Sequence, residues 1–277
     1  MRLGGPIFQP HADPVAWVAA VRAKGYRAVY CPVKPDADLA VIAAYRRAAE
    51  QADLVIAEVG AWSNPLSPDP AIRDAALDKC KASLLLAERI GARCCVNIAG
   101  SRGAKWDGPD PADLSEETFE MIVTTVREII DAVQPTQTVY ALETMPWMYP
   151  DSVESYQRLL VAIDRPGFGV HFDPVNLVNS PQRYFQNDAL IRSCVSALGP
   201  HIRSVHVKDI QLADRLTVHL DETRPGQGGL HLRTLLHELN QLAPDLPIML
   251  EHLPNETEYD LAAAHVRAVA KQEGIEL

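Results

Sequence analysis

Four apolar runs in this chain each end in a side chain able to bind a metal ion: Tyr140-Ala-Leu-Glu143, Gly169-Val-His-Phe-Asp173, Ser204-Val-His206 and Ile248-Met-Leu-Glu251. Two glutamates, one aspartate and one histidine make a mixed carboxylate and imidazole set. Such a set suits Mn²⁺, Mg²⁺, Co²⁺ or Zn²⁺, and its oxygen-rich balance leans towards the harder ions. Taken singly, each residue could equally be a helix cap, an ion-pair partner or a satisfied buried polar group. Four of them closing successive apolar runs point instead to convergence. Strand ends converge at the C-terminal mouth of a (β/α)8 barrel, where ligands from separate strands can meet around one ion.

A site of that kind needs eight βα units, and the chain supplies them. Candidate strands are Leu3–Phe8, Arg27–Val33, Leu54–Val59, Arg93–Ile98, Thr138–Glu143, Gly167–Asp173, Ile202–Val207 and Pro247–Glu251. Their near-continuous hydrophobicity fits parallel strands covered on both faces. The helices between them carry end signals. Asp13 before Pro14 opens the first, which ends before Gly25. The second runs from Leu39 to Glu50 and the third from about Ala71 to Ile90, before Gly91. Ser115-Glu-Glu opens the fourth, whose Phe119, Ile122, Val123, Val126, Ile129, Ile130 and Val133 form one buried face. Asp151 with Glu154 reads as a capping box for the fifth. The sixth, seventh and eighth are expected at about Ala189–Leu198, Leu230–Leu242 and Tyr259–Gln272. The fold class is therefore α/β, a single-domain (β/α)8 TIM barrel spanning residues 1–277. Long connections follow the third, fourth and seventh strands, on the face where such barrels bind substrate.

Composition narrows the function. At 277 residues and 47% hydrophobic, the chain can bury one large core. With 36 acids against 26 bases its formal charge is -10, which opposes the counterion displacement that nucleic-acid binding requires. No apolar run approaches the ~20 residues of a membrane span. The segment from Met1 to Phe8 lacks the extended apolar core of a signal peptide and reads as a first strand. The five cysteines, Cys31, Cys80, Cys94, Cys95 and Cys194, show no C-x-x-C pair and read as small buried hydrophobes in a reducing compartment. A cytoplasmic protein acting on a small polar molecule is expected, with no nucleic-acid or membrane partner; a homo-oligomer is allowed.

The segments Ala141-Leu-Glu143, His171-Phe-Asp173-Pro-Val-Asn176, His206-Val-Lys-Asp209, Pro225-Gly-Gln-Gly228 and Met249-Leu-Glu251 resemble the xylose isomerase-like TIM barrel superfamily. That group includes ketose 3-epimerases, hydroxypyruvate isomerase, inosose dehydratase and endonuclease IV. The resemblance covers nearly the whole chain. It implies Glu143, Asp173, His206 and Glu251 as ligands of one divalent ion, Mn²⁺ first. It also implies that Glu143 and Glu251 act as acid and base on opposite faces of a sugar. A metal polarising a carbonyl acidifies the neighbouring C–H, so that the two carboxylates can shuttle its proton through an enediolate. A metal-dependent sugar isomerase or epimerase follows. The alternative is a dehydratase or lyase that eliminates from a keto-inositol or 3-keto-glycoside. An endonuclease IV-like nuclease and a non-catalytic sugar-binding barrel rank below both. The nuclease loses ground because Asn176 stands where endonuclease IV and the ketose 3-epimerases carry a histidine, and a neutral amide is a poor ligand for extra zinc.

Further candidates would contact the sugar. Asn176 can bind a hydroxyl. His171 lies on the same side of its strand as Asp173 by period-two alternation, fit for a substrate contact or a buried supporting role. Lys208 shares the side of His206 and could bind a substrate oxygen or orient Glu251. Arg224 and His219 lie on the long connection after the seventh strand, where a lid would sit. Trp62, Trp106 and Trp147 all follow strand ends, and tryptophan faces bury the apolar side of a sugar ring. Glu58 and Asn97 are weaker candidates for hydroxyl contacts, and Asp209 for substrate contact or loop capping. With no glycine-rich phosphate cradle, an unphosphorylated or oxidised sugar is favoured.

Overall fold

A computed structural model describes all 277 residues. Eight parallel strands close into a barrel. Seven come in unbroken succession: β1 (Arg2–Gly5), β2 (Ala28–Tyr30), β3 (Val55–Gly60), β4 (Cys94–Asn97), β5 (Tyr140–Glu143), β6 (Phe168–Phe172) and β7 (Ile202–Val207). A hairpin of β8 (Asp209–Leu212) and β9 (Leu220–Thr223) intervenes before β10 (Pro247–Leu250), the eighth barrel strand. The order around the barrel is β1-β10-β7-β6-β5-β4-β3-β2. Register closes the ring, with Arg2 opposite Pro247 and Gly4 opposite Ala28. A cluster of 62 buried residues fills the space between strands and helices. Inside the barrel the side chains are small, as with Ala28 and Ala57 around Met249. A Cβ on Gly4 would stand 2.4 Å from the Ala28 carbonyl oxygen and 2.6 Å from the Met249 sulfur, so only glycine fits beside that methionine.

The helices are α1 (Pro14–Ala23), α2 (Leu39–Gln51), α3 (Pro70–Ile90), α4 (Glu116–Val133), α5 (Val153–Ile163), α6 (Pro181–Phe185), α7 (Asn187–Leu198), α8 (Leu232–Leu239) and α9 (Glu256–Gln272). The expected ends hold where an oxygen-bearing cap precedes a proline or an acidic first turn. Asp13 accepts from the Ala16 N–H at 2.8 Å, Asp69 from Ala71 at 2.8 Å and Ser115 from Thr118 at 3.2 Å. Gly91 terminates α3 in the left-handed region at φ 76°.

Four expectations need correction. The cap of α5 is Ser152, paired with Ser155 in a reciprocal capping box. Asp151 and Glu154 do not form it, because Ser152 holds the extended backbone that a cap requires. The sixth helical segment begins earlier and is preceded by the short α6, with Ser180 as its cap and Pro181 in its first turn. The last helix starts at Glu256 under Asn255, whose side chain accepts from Glu258 at 3.1 Å. The connection after β7 is not an open loop, since β8 and β9 pair antiparallel there. No helix is long and apolar enough to cross a membrane.

Candidate active site

β5, β6, β7 and β10 are consecutive around the barrel, so the four expected ligands come from one continuous arc. Period-two alternation turns Glu143 and His206 inward, and Asp173 and Glu251 directly follow the ends of β6 and β10. One ligand atom from each of Glu143, Asp173, His206 and Glu251 lies within 4.8 Å of the others. His206 Nδ1 is 3.0 Å from Glu143 Oε1 and 3.0 Å from Glu251 Oε2.

Each ligand is held from behind. Asp173 Oδ1 accepts from the backbone N–H groups of Val175 (2.9 Å) and Asn176 (3.3 Å), which commits one oxygen to the following turn and leaves Oδ2 facing the centre. Thr144 Oγ1 donates to the Asp173 carbonyl at 2.8 Å and accepts from its N–H at 3.0 Å. Asn176 Nδ2 donates to Glu143 Oε1 at 3.3 Å. His206 Nε2 donates to Glu58 Oε1 at 3.1 Å. β3 lies opposite β7 in the ring of eight, so Glu58 reaches His206 across the barrel. It does so because the register between β2 and β3 shifts at Val29/Tyr30, and an irregularity of this kind re-aims a side chain. A carboxylate behind the far nitrogen orients a ligating imidazole and raises its basicity.

Lys208 is buried in the same cluster, with Nζ 2.6 Å from Asp173 Oδ2 and 2.6 Å from Glu251 Oε1. Both oxygens are buried and have the Lys208 ammonium as their near partner. A carboxylate oxygen keeps further lone pairs beside one ammonium contact, and three hard oxygen donors around one imidazole fit a divalent cation. Among the ligands, three carboxylates meet one lysine ammonium, and the buried Glu58 carboxylate adds a further negative charge beside His206.

Burial pushes the Glu143 carboxyl up to about 7 against the pull of His206. Burial acts the same way on Glu251, but His206 and Lys208 hold it well below the usual carboxylate range. For His206, burial favours the neutral ring, yet Glu251, Glu58 and Glu143 raise it well above its ordinary value. His171 goes the other way, to about 4, through burial and the neighbouring His206.

A cavity of about 620 Å³ opens above the cluster, and Glu143, His206, Glu251 and Asn176 face it. Trp62, Trp106 and Trp147 all stand in its wall, and the last is held by its indole N–H donating to Asp107 O at 3.0 Å. Other expected contacts lie elsewhere. His171 is fully buried beneath the cavity, 3.3 Å from Glu58 and stacked edge-on against His206. Lys208 is under the cluster. Arg224 is half-buried against Glu258 at 2.8 Å. Asn97 bonds to Ser63 and Cys80. Asp209 holds the connection after β9 by accepting from the N–H groups of Ile210, Gly226, Gly228 and Leu230 at 2.8 to 3.0 Å. A Cβ on Gly228 would meet Asp209 Oδ1 at 2.4 Å, and Gly226 adopts φ 93°, which accounts for both glycines of Pro225-Gly-Gln-Gly228.

Sequence reasoning overlooked Tyr30, His252 and Tyr259 in the cavity wall. Tyr30 donates to Leu250 O at 3.0 Å. His252 pairs with Glu222 of β9 at 3.2 Å, which raises its pKa. The adjacency of His252 to Glu251 was the available signal.

The sequence matches the family described as "Xylose isomerase-like TIM barrel" over residues 18–269. No curated protein sequence matches it. Among solved structures it is similar to endonuclease IV from Thermus thermophilus (TM-score 0.73, 14% identity, 98% of this chain and 100% of that one). It is similar to the probable 3-DHS dehydratase involved in petrobactin synthesis from Bacillus anthracis (TM-score 0.71, 16% identity, 98% and 99%). It is also similar to a 3-keto-D-glucoside 4-epimerase from E. coli (TM-score 0.70, 15% identity, 97% and 99%). At such identities the likeness is one of fold.

Proposed function

The chain belongs to the xylose isomerase-like TIM barrel family, and from that premise we propose that it is a divalent-metal-dependent sugar isomerase or epimerase acting on a keto-sugar. The observation that carries the reading is the pair Glu143 and Glu251, facing one cavity from within a four-ligand cluster 4.8 Å across. A divalent ion, Mn²⁺ first, held by Glu143, Asp173, His206 and Glu251 would polarise the substrate carbonyl and so acidify the neighbouring C–H. The chain's own groups do the rest. Glu251, kept ionised by His206 and by the Lys208 ammonium at 2.6 Å, takes the proton. Glu143 has no lysine beside it, only His206 and the Asn176 amide, and returns a proton from its side of the cavity. Asn176 offers its amide to a hydroxyl, and the three tryptophans cover the apolar face of the ring and exclude water. Glu58 orients His206; His171, closed off from the cavity, supports that pair. Arg224 anchors the hairpin connection to α9 through Glu258.

Incubation of Mn²⁺-loaded protein with keto-sugars and 3-keto-glycosides in deuterated water tests the reading. One deuterium entering a product of otherwise unchanged formula supports it. No exchange with any of these sugars sinks it. Glu251→Gln should lower turnover by ~10²–10⁴-fold, as removal of a proton carrier does.

One observation favours the lyase outcome. His252 stands in the cavity wall with its pKa raised by Glu222, a group able to protonate a departing hydroxyl or alkoxide. A dehydratase or lyase of a keto-inositol or 3-keto-glycoside would show loss of water or aglycone in the same incubation. A nuclease is disfavoured by the charge of -10 and by Asn176.

A further inference from the structure

We propose that the substrate is an amphipathic glycoside whose apolar aglycone lies outside the barrel mouth, in a groove on α3. This rests on the reading above, which puts the sugar at Glu143 and Glu251. A second depression of about 560 Å³ adjoins the cavity, and Trp62 and Trp106 belong to the walls of both. The floor of the groove is one face of α3, formed by Ala71, Ile72, Ala75 and Ala76.

Three of its polar neighbours already have a partner in the protein. Lys79 Nζ donates to Trp62 O at 2.9 Å, Ser63 Oγ to Ala61 O at 2.6 Å, and Asn64 Nδ2 to Ser101 O at 2.8 Å. Apart from Lys79 at its edge, a sugar ring placed there would find few partners to replace its hydration, whereas an apolar group would cover the alanine and isoleucine face. The inner cavity is the reverse, with carboxylates and the Asn176 amide turned to its space. Its volume of about 620 Å³ lies in the range, about 300–1,000 Å³, that encloses a drug-sized ligand and exceeds one sugar ring. Trp62 and Trp106 remain 36% and 38% exposed and Ile72 53% exposed, and such a gathering of uncovered apolar side chains marks a binding surface. The two tryptophans form the ridge over which one ligand would pass from polar to apolar ground.

Calorimetry on Mn²⁺-loaded protein with methyl and phenyl 3-keto-β-D-glucopyranoside tests this. The phenyl glycoside is expected to bind about tenfold tighter, a gain that corresponds to burying part of one ring at ~25 cal/mol per Å². Ala75 is an exposed position of α3, so Ala75→Arg should fold normally, as circular dichroism would verify, and lay a charged chain across the groove. The phenyl-to-methyl affinity ratio should then fall to about one, and Ile72→Gln should reduce it in the same direction. Equal affinities in the unaltered protein overturn the groove while leaving the sugar site in place. Binding of neither glycoside overturns the sugar site and the groove together. A dimer in light scattering that Ala75→Arg splits, with the ratio unchanged, assigns the groove to a second copy of the chain and also overturns the proposal.

Discussion

Glu58 is the residue whose role depends most on distant neighbours. It is buried, bonded to His206 Nε2 across the barrel, and Ser204 Oγ donates to its other oxygen at 3.3 Å. We predict that Glu58→Gln keeps the fold but weakens divalent-metal affinity by ~10–100-fold, the usual cost of losing a carboxylate behind a ligating imidazole. Calorimetric titration with Mn²⁺ reads this directly, and an unchanged affinity would remove Glu58 from the site. Lys208 gives the converse case. Lys208→Met leaves Asp173 and Glu251 as buried carboxylates without their ammonium, and breaking such a pair from one side costs about 3–5 kcal/mol. Urea denaturation of metal-free protein should show that loss, and added Mn²⁺ should recover part of it. Metal-free stability equal to that of the unaltered protein would contradict the pairing. The four ligand types were legible because each closes an apolar run. Glu58 was named only for a hydroxyl contact; its place behind His206 was not legible, because an alternation argument assumes an unbroken register, and β3 breaks it beside that residue.

The elements that position the site differ in how far local rules decide them. α1, α3 and α4 begin where cap and first-turn signals coincide, since these act between residues two or three apart. α5 offered two overlapping capping patterns, and the backbone at Ser152 selected one. The hairpin of β8 and β9 escaped detection because its pairing, Asp209 with Thr223, is decided by what holds its ends. Asp209 holds them: its carboxylate gathers four backbone N–H groups. We predict that Asp209→Ala costs about 2–6 kcal/mol, at ~0.5–1.5 kcal/mol for each of the four lost bonds. Amide hydrogen exchange should quicken at Gly226, Gly228 and Leu230 before it does in the barrel strands. Uniform protection across that segment would show that the hairpin stands without the aspartate.

At the scale of the molecule, the barrel brings together more buried carboxylates than the Lys208 ammonium alone offsets. Chelation should therefore destabilise the protein. Relative to chelated protein, Mn²⁺ at ~100 times its dissociation constant should add about 2.7 kcal/mol, raising the thermal midpoint by about 5–10 °C for a chain of this size. A midpoint indifferent to chelator and metal would count against the metal centre. The sequence by itself determined the eight βα units, the ends of the best-capped helices and the four residues fit to hold a metal, because hydrophobic period and capping are local properties of the chain. Only the tertiary structure decided that Lys208 lies among the ligands, that Glu58 crosses the barrel, that His171 is sealed from the cavity and that Trp62 and Trp106 share a wall with α3. Those relations join residues far apart in sequence, and barrel closure, register shift and strand order set the distances between them.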